Sequence, residues 1–288
     1  MRIRSALVVA AATVLLVGCG GDEPSESGPG GQFEVGDPGP IHVHGLGINP
    51  KDGALFVATH TGLFRAPEGD YKPERVGDRF QDTMGFTIVA PDTFLGSGHP
   101  DGRDRLPPFL GLIRSEDGGR SWRPVSLLGE RDFHVLEASG RRVYGFGSDF
   151  KTRAPGFLVS DDGGETWEQR EVPEPLISLA ISPRDPRRIV ASGQTGLYLS
   201  DDAGRRWLPL AGPPGLLAWG HELTVADANG AVHAAADAGQ RPRPVGHIDG
   251  KPAALESGPG GELYAALHDG TIKRSDDGGR TWSARAAA

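Results

Sequence analysis

Nine histidines are spread over 288 residues, and several stand where they could do chemistry. His42 and His44 are separated by one valine, and a strand would turn both rings to the same side. His60, His99, His134 and His268 follow at wide intervals, and Met84 lies among them. Neutral imidazoles are common ligands for zinc and copper, and a nearby thioether favours copper. The same stretch supplies Asp82, Asp101, Asp104, Asp132 and Asp149, with Arg103, Arg105 and Arg153 nearby in sequence. Two carboxylates facing each other are what hydrolysis of a glycosidic bond requires. The sequence contains no Gly-x-Ser-x-Gly motif, no phosphate-binding loop and no candidate cysteine nucleophile.

What these residues can do depends on the elements that bring them together, and the chain is built from repeats. The pattern Ser-x-Asp-x-Gly-x-x-Trp occurs at Ser115, Asp117, Gly119, Trp122; at Ser160, Asp162, Gly164, Trp167; at Ser200, Asp202, Gly204, Trp207; and at Ser275, Asp277, Gly279, Trp282. The starts are 45, 40 and 75 residues apart, so the last gap has room for a decayed copy, found at Ala235–Pro242 with Asp237 and Gly239 retained. Each octapeptide has the chemistry of a hairpin turn. The Asp carboxylate accepts backbone N–H groups, Gly supplies positive φ, and the Trp opens the next strand with a large apolar surface. A catalytic group is needed once and these acids recur in every unit, so they are assigned a structural role.

The octapeptide resembles the Asp box, or BNR repeat, of sialidase-like β-propellers, and the repeats run from about residue 41 to the end of the chain. The resemblance implies an all-β propeller of four-stranded antiparallel blades, with the Asp-box hairpins on the face opposite the active site of the family's enzymes. It implies glycosyl-hydrolase-like recognition, with possible hydrolysis, of a glycan or other extracellular ligand. The family's specific parts are not matched, since it uses three arginines on the substrate carboxylate and a Tyr–Glu nucleophile. Phe64-Arg65-Ala66-Pro67 looks like the family's Phe-Arg-Ile-Pro signature but aligns with the Asp-box strand.

The clearest unit runs from Leu176 through the Ser182-Pro183 turn to Leu210, and residues 41–66 match it without an Asp box. Short β-rich runs divided by Gly, Pro and Asp signals read as antiparallel meanders. Boxes and relics near 66, 115, 160, 200, 235 and 275 give six blades of about 40 residues, with seven as the other count. Insertions at Gly98–Phe109 and Ser148–Pro155 fall between the second and third strands of blades two and three and lengthen one rim. On this alignment His44 and His134 lie near the starts of first strands, and His60, His99 and His268 at the ends of second strands. Five or six histidines, His42 among them, therefore share one rim.

Three functions remain open on these residues. A glycosidase would draw on Asp101, Asp104 and Asp149. A zinc or copper site would use His44, His60, His99 and His134. A binding or assembly scaffold would take a glycan or protein ligand through His42, His44, His60, His99, His134, His268 and Arg103, or use the rim histidines for ordinary hydrogen bonding.

The N-terminus directs where the propeller works. Residues 1–18 have a basic start and an apolar run too short for a stable membrane span. Leu16-Val17-Gly18-Cys19 resembles a bacterial lipobox, which implies cleavage before Cys19, lipid on its thiol and an extracytoplasmic protein held at a membrane. Cys19 is the only cysteine, so no disulfide can form within the chain. Residues 20–40 carry five acids and no Lys or Arg among Gly, Pro and Ser, and so read as a solvated tether spanning roughly 25 Å. Residues 41–288 form a single propeller domain, expected to be monomeric. A formal charge of −8 with no basic face argues against a nucleic-acid partner.

Overall fold

In the computed structural model, which describes residues 37–287, the short apolar runs become 24 strands in six four-stranded antiparallel sheets, with no helix among the described residues. Cys19, the leader 1–18 and residues 20–36 of the tether lie outside the described residues. Blade one comprises β1 (Val43–Ile48), β2 (Leu55–Thr59), β3 (Gly62–Ala66) and β4 (Glu74–Arg75). Blade two comprises β5 (Asp82–Ala90), β6 (Thr93–His99), β7 (Leu112–Ser115) and β8 (Arg123–Ser126). Blade three comprises β9 (Arg131–Ser139), β10 (Arg142–Asp149), β11 (Pro155–Ser160) and β12 (Glu168–Arg170). Blade four comprises β13 (Ser178–Ile181), β14 (Ile189–Ser192), β15 (Leu197–Ser200) and β16 (Leu208–Leu210). Blade five comprises β17 (Leu216–Trp219), β18 (Leu223–Ala226), β19 (Ala231–Ala235) and β20 (Arg243–His247). Blade six comprises β21 (Pro252–Ser257), β22 (Leu263–Leu267), β23 (Thr271–Ser275) and β24 (Ser283–Ala287).

Every blade is a meander of consecutive strands, so the count is six rather than seven. The first strands surround the axis, each next to the first strand of the following blade, and β21 returns to β1. Second strands are buried on both faces, which is why β2 reads Leu-Phe-Val-Ala-Thr without alternation. The core lies between blades. Phe56 of blade one meets Phe94 of blade two edge-on, with ring centroids 4.7 Å apart. The seam between first and last blades buries Leu46, Val57 and Phe64 against Tyr264, Ile272 and Ala286. Arg285 adds donors to the carbonyls of Ala66, Pro67 and Asp70, and the Ala287 N–H donates to the Tyr71 carbonyl.

The four Asp boxes fold alike and do structural work. In blade three Ser160 Oγ donates to Asp162 Oδ1 at 2.7 Å and accepts the Gly164 N–H at 2.8 Å. Asp162 also accepts the N–H and Oγ1–H of Thr166. Those bonds hold its carboxyl well below the usual range, Thr166 contributing most. The glycine four residues after each box serine has positive φ and abuts the third strand of the preceding blade. A Cβ at Gly119 would stand 2.3 Å from Leu63, at Gly164 2.0 Å from Leu112, at Gly204 2.6 Å from Phe157 and at Gly279 2.7 Å from Val232. The repeated glycine therefore sets blade-to-blade spacing as well as the turn. In the decayed copy Asp237 still accepts the Gly239 N–H and pairs with Arg188.

The chain enters on the opposite face. Residues 37–40, expected to belong to the free tether, are docked: Asp37 pairs with Arg75, and Thr61 Oγ1 donates to the Gly39 carbonyl at 2.6 Å. Hydrogen bonding from Arg75 lowers the Asp37 pKa.

Candidate functional site

The first strands do not run straight into the ring. In β1, Val43 pairs with Thr59 and Gly45 with Ala58, leaving His44 as an extra residue. The same bulge leaves out Met84 in β5, His134 in β9 and Ala253 in β21. A β-bulge re-aims a side chain and bends its strand. Here it recurs at equivalent positions of four adjoining blades, and all four bulged residues line one cavity of about 530 Å³ over the axis, together with His42 and His268. The glycines opposite the bulges make room for them. A Cβ at Gly98, whose φ is +137°, would stand 2.1 Å from the Asp82 carbonyl oxygen.

Three donor groups converge at the blade one–blade two edge of this cavity. His44 Nε2 is 3.3 Å from His60 Nδ1 and 3.5 Å from Asp82 Oδ1, and His60 Nδ1 is 3.1 Å from Asp82 Oδ2. A tetrahedral ion with bonds of about 2.0–2.1 Å has ligand-to-ligand edges of about 3.3 Å. His44, His60 and Asp82 form the one such three-residue group among the described residues. Asp82 Oδ1 is buried and has no hydrogen-bond partner. An unpaired buried carboxylate oxygen is costly, and a cation is what would satisfy it.

Asp132, the equivalent acid of blade three, gathers the other two histidines. Its Oδ2 lies 3.0 Å from His134 Nε2 and 3.6 Å from His99 Nε2, and its Oδ1 is also buried without a hydrogen-bond partner. Hydrogen bonding to Asp132 raises the His134 pKa above 6.5, against the effect of burial. His99 Nδ1 donates to the Pro108 carbonyl at 2.7 Å, which orients the ring with Nε2 on the Asp132 side. That carbonyl belongs to the blade-two insertion, which packs on the blade-three insertion through Phe109 and Phe150 at 5.3 Å.

His44, His60, His99 and His134 thus share a rim, but they divide into two acid-centred groups instead of forming one four-histidine shell. The entry of β5, carrying Asp82, stands between blades one and three and separates them. His42 also departs from the strand-based expectation. It precedes β1 with φ +54°, so it does not point with His44 by strand alternation, although it lines the same cavity and lies 5.9 Å from the His60 ring.

Each of the three candidate catalytic acids is engaged by neighbouring groups. Asp101 is gripped by the guanidinium of Arg103 and accepts the Phe80 N–H, and Arg103 holds its carboxyl far below the usual range. Arg103 is thereby occupied as well, since it also reaches Asp78. Asp104 pairs with Arg79. Asp149 caps the Thr152 turn, which lowers its pKa, and lies 3.6 Å from Arg131. A general acid in glycoside hydrolysis needs a raised pKa, the reverse of what Asp101 and Asp149 show.

Two acids that sequence reasoning missed have that property. Glu137 in β9 and Glu256 in β21 project from opposite blades into the channel below the cavity, and among the described residues no Lys or Arg lines that channel. Burial pushes Glu256 up to about 7, and burial together with the Glu256 charge pushes Glu137 well above the carboxylate range.

Comparison with known proteins supports the fold. The BNR/Asp-box repeat model matches residues 158–169 and 273–284, the boxes of blades three and six. The human VPS10 domain-containing receptor SorCS2 is 26% identical over 102 residues, which is 33% of this chain and 9% of that protein. This chain therefore spans a small fraction of that relative. A gluconolactonase from Xanthomonas campestris superposes with a TM-score of 0.63 at 14% identity, covering 80% of this chain and 84% of that one. YCF48 from Cyanidioschyzon merolae gives 0.53 at 15% identity over 86% of each chain. An ancestral GH74 enzyme gives 0.57 at 13% identity over 86% of this chain and 39% of its own. At these identities the likeness is one of fold.

Proposed function

We propose that this six-bladed Asp-box propeller is a metal-binding protein that holds one transition-metal ion, zinc or copper, at the face opposite its Asp boxes. The observation that carries the reading is the cluster of His44, His60 and Asp82, whose nitrogens and two carboxylate oxygens approach to 3.1–3.5 Å, with Asp82 Oδ1 buried and lacking a hydrogen-bond partner. Three protein ligands leave a fourth position for water or a ligand, which gives the site an open coordination place at the mouth of a cavity. The reading is preferred to glycan hydrolysis because Asp101, Asp104 and Asp149 are spent on arginines and a turn. The lipobox-like sequence before Cys19 supports placing the protein outside the cytoplasm, attached to a membrane by lipid on that thiol. Cys19→Ser should then release the protein into the soluble fraction with its melting temperature unchanged.

The direct test is metal analysis of protein purified without a nickel column, followed by titration of the stripped protein with zinc and with copper(II). About one equivalent is expected, and His44→Ala combined with His60→Ala should abolish uptake, because too few ligands would remain. A protein that arrives metal-free and takes up neither ion would overturn the reading, as would a double variant that binds like the parent.

A further inference from the structure

We infer that the cavity distinguishes copper(I) from zinc, holding copper(I) through a soft donor set of Met84, His134 and His44 next to the harder set of His44, His60 and Asp82. The inference rests on the metal-binding reading above and extends it to the identity of the ion.

Three independent features converge on Met84. It is the only methionine beyond the initiator, so the chain's one internal thioether lies in this cavity. It is the extra residue of its bulge, as His44 and His134 are of theirs, so the same backbone device aims all three into the cavity from consecutive blades. It also lines the neck of the channel below, together with Leu46, Phe86, Leu136 and the acids Glu137 and Glu256.

The chemistry follows from ligand softness. Thioether sulfur and imidazole suit copper(I), while carboxylate oxygen suits harder ions, and zinc accepts both imidazole and carboxylate. His134 is prepared for the soft set, since an Nε2–H donated to Asp132 leaves Nδ1 as the free nitrogen. His44 is common to both sets, so one ion is held at a time. Zinc or copper(II) sits toward Asp82 and His60, and copper(I) sits toward Met84 and His134. No electron transfer is involved, because each ion binds in the state in which it arrives.

The test is a pair of titrations on the parent, Met84→Leu and Asp82→Asn proteins: copper(I) under anaerobic conditions against a chromophoric copper(I) chelator, and zinc against a chromophoric zinc chelator. Met84→Leu nearly conserves volume and should fold, and its zinc binding reports whether it has. Loss of one ligand should cost at least about tenfold in affinity. Met84→Leu is therefore expected to weaken copper(I) by that factor with zinc unchanged, and Asp82→Asn to do the reverse. If Met84→Leu binds both ions as the parent does, the soft set is refuted and the zinc site stands. If Met84→Leu weakens both ions equally, discrimination is refuted. If the parent takes neither ion, the metal-binding reading itself fails.

Discussion

A Cβ placed on Gly147 would stand 1.8 Å from the carbonyl oxygen of Asp132. Gly147 sits opposite the bulge in β9, and its bare backbone lets the bulged strand fold inward far enough to carry Asp132 and His134 to the rim. Gly147→Ala should force that strand outward, costing about 1–3 kcal/mol of stability as overpacking does. It should also weaken copper(I) binding through the displaced His134. Denaturant unfolding and the copper(I) titration together check this, and an unshifted titration would separate the bulge from the site.

The Asp boxes should behave as stability elements alone. Ser160 is buried, and its Oγ accepts the Gly164 N–H at 2.8 Å. Ser160→Ala strands that donor and should cost about 1–3 kcal/mol. Zinc and copper affinities of the folded variant should match the parent, because the box lies on the other face. A variant with normal melting but lost metal uptake would refute the structural assignment.

Glu137 and Glu256 should make the protein less stable as pH rises. Both hold protons in the folded state that they would release when unfolded, where a glutamate titrates near 4.5. Stability from this pair is fully present below about 4.5 and is lost as pH rises through about 7, where Glu256 titrates. Glu256→Gln should therefore raise the melting temperature at pH 8 and leave it nearly unchanged at pH 4. Parallel melting curves for the two proteins across that range would show the pair to be unperturbed.

Copper(I) uptake should carry its own pH signature. The hydrogen bond that His134 donates to Asp132 keeps its imidazole protonated at a higher pH than usual. Protons should then displace copper(I) as pH falls through a value above 6.5, and His134→Gln should remove that transition while lowering the affinity. Titrations at successive pH values check both statements.

The blades, their number and the structural role of the boxes were legible because the octapeptide recurs with its turn chemistry intact. The shared rim of histidines was legible for the same reason, since aligning His60 with His99 and His268 needs only the repeat. The division of that rim was not legible. It depends on bulges at His44, Met84 and His134, and a bulge moves one residue out of register without changing the apolar pattern around it. Gly98 and Gly147 were the available signal, as glycines inside otherwise well-formed strands. The Glu137–Glu256 pair was hidden because the two acids are 119 positions apart and meet only through the closure of the ring.

That closure has a consequence for assembly of the molecule. Every blade takes all four strands from one contiguous stretch, and no strand is exchanged between the first blade and the last. During synthesis each blade can pair its strands before the next emerges, and the axial channel closes only once β21 packs against β1. Arg285 and Ala287 seal the joint onto the 66–71 stretch of blade one by hydrogen bonds, where other neighbouring blades are also linked by continuous chain. An opening fluctuation of the ring would start there, between blades six and one, and would carry His268 away from His44 and His60 before any single blade came apart.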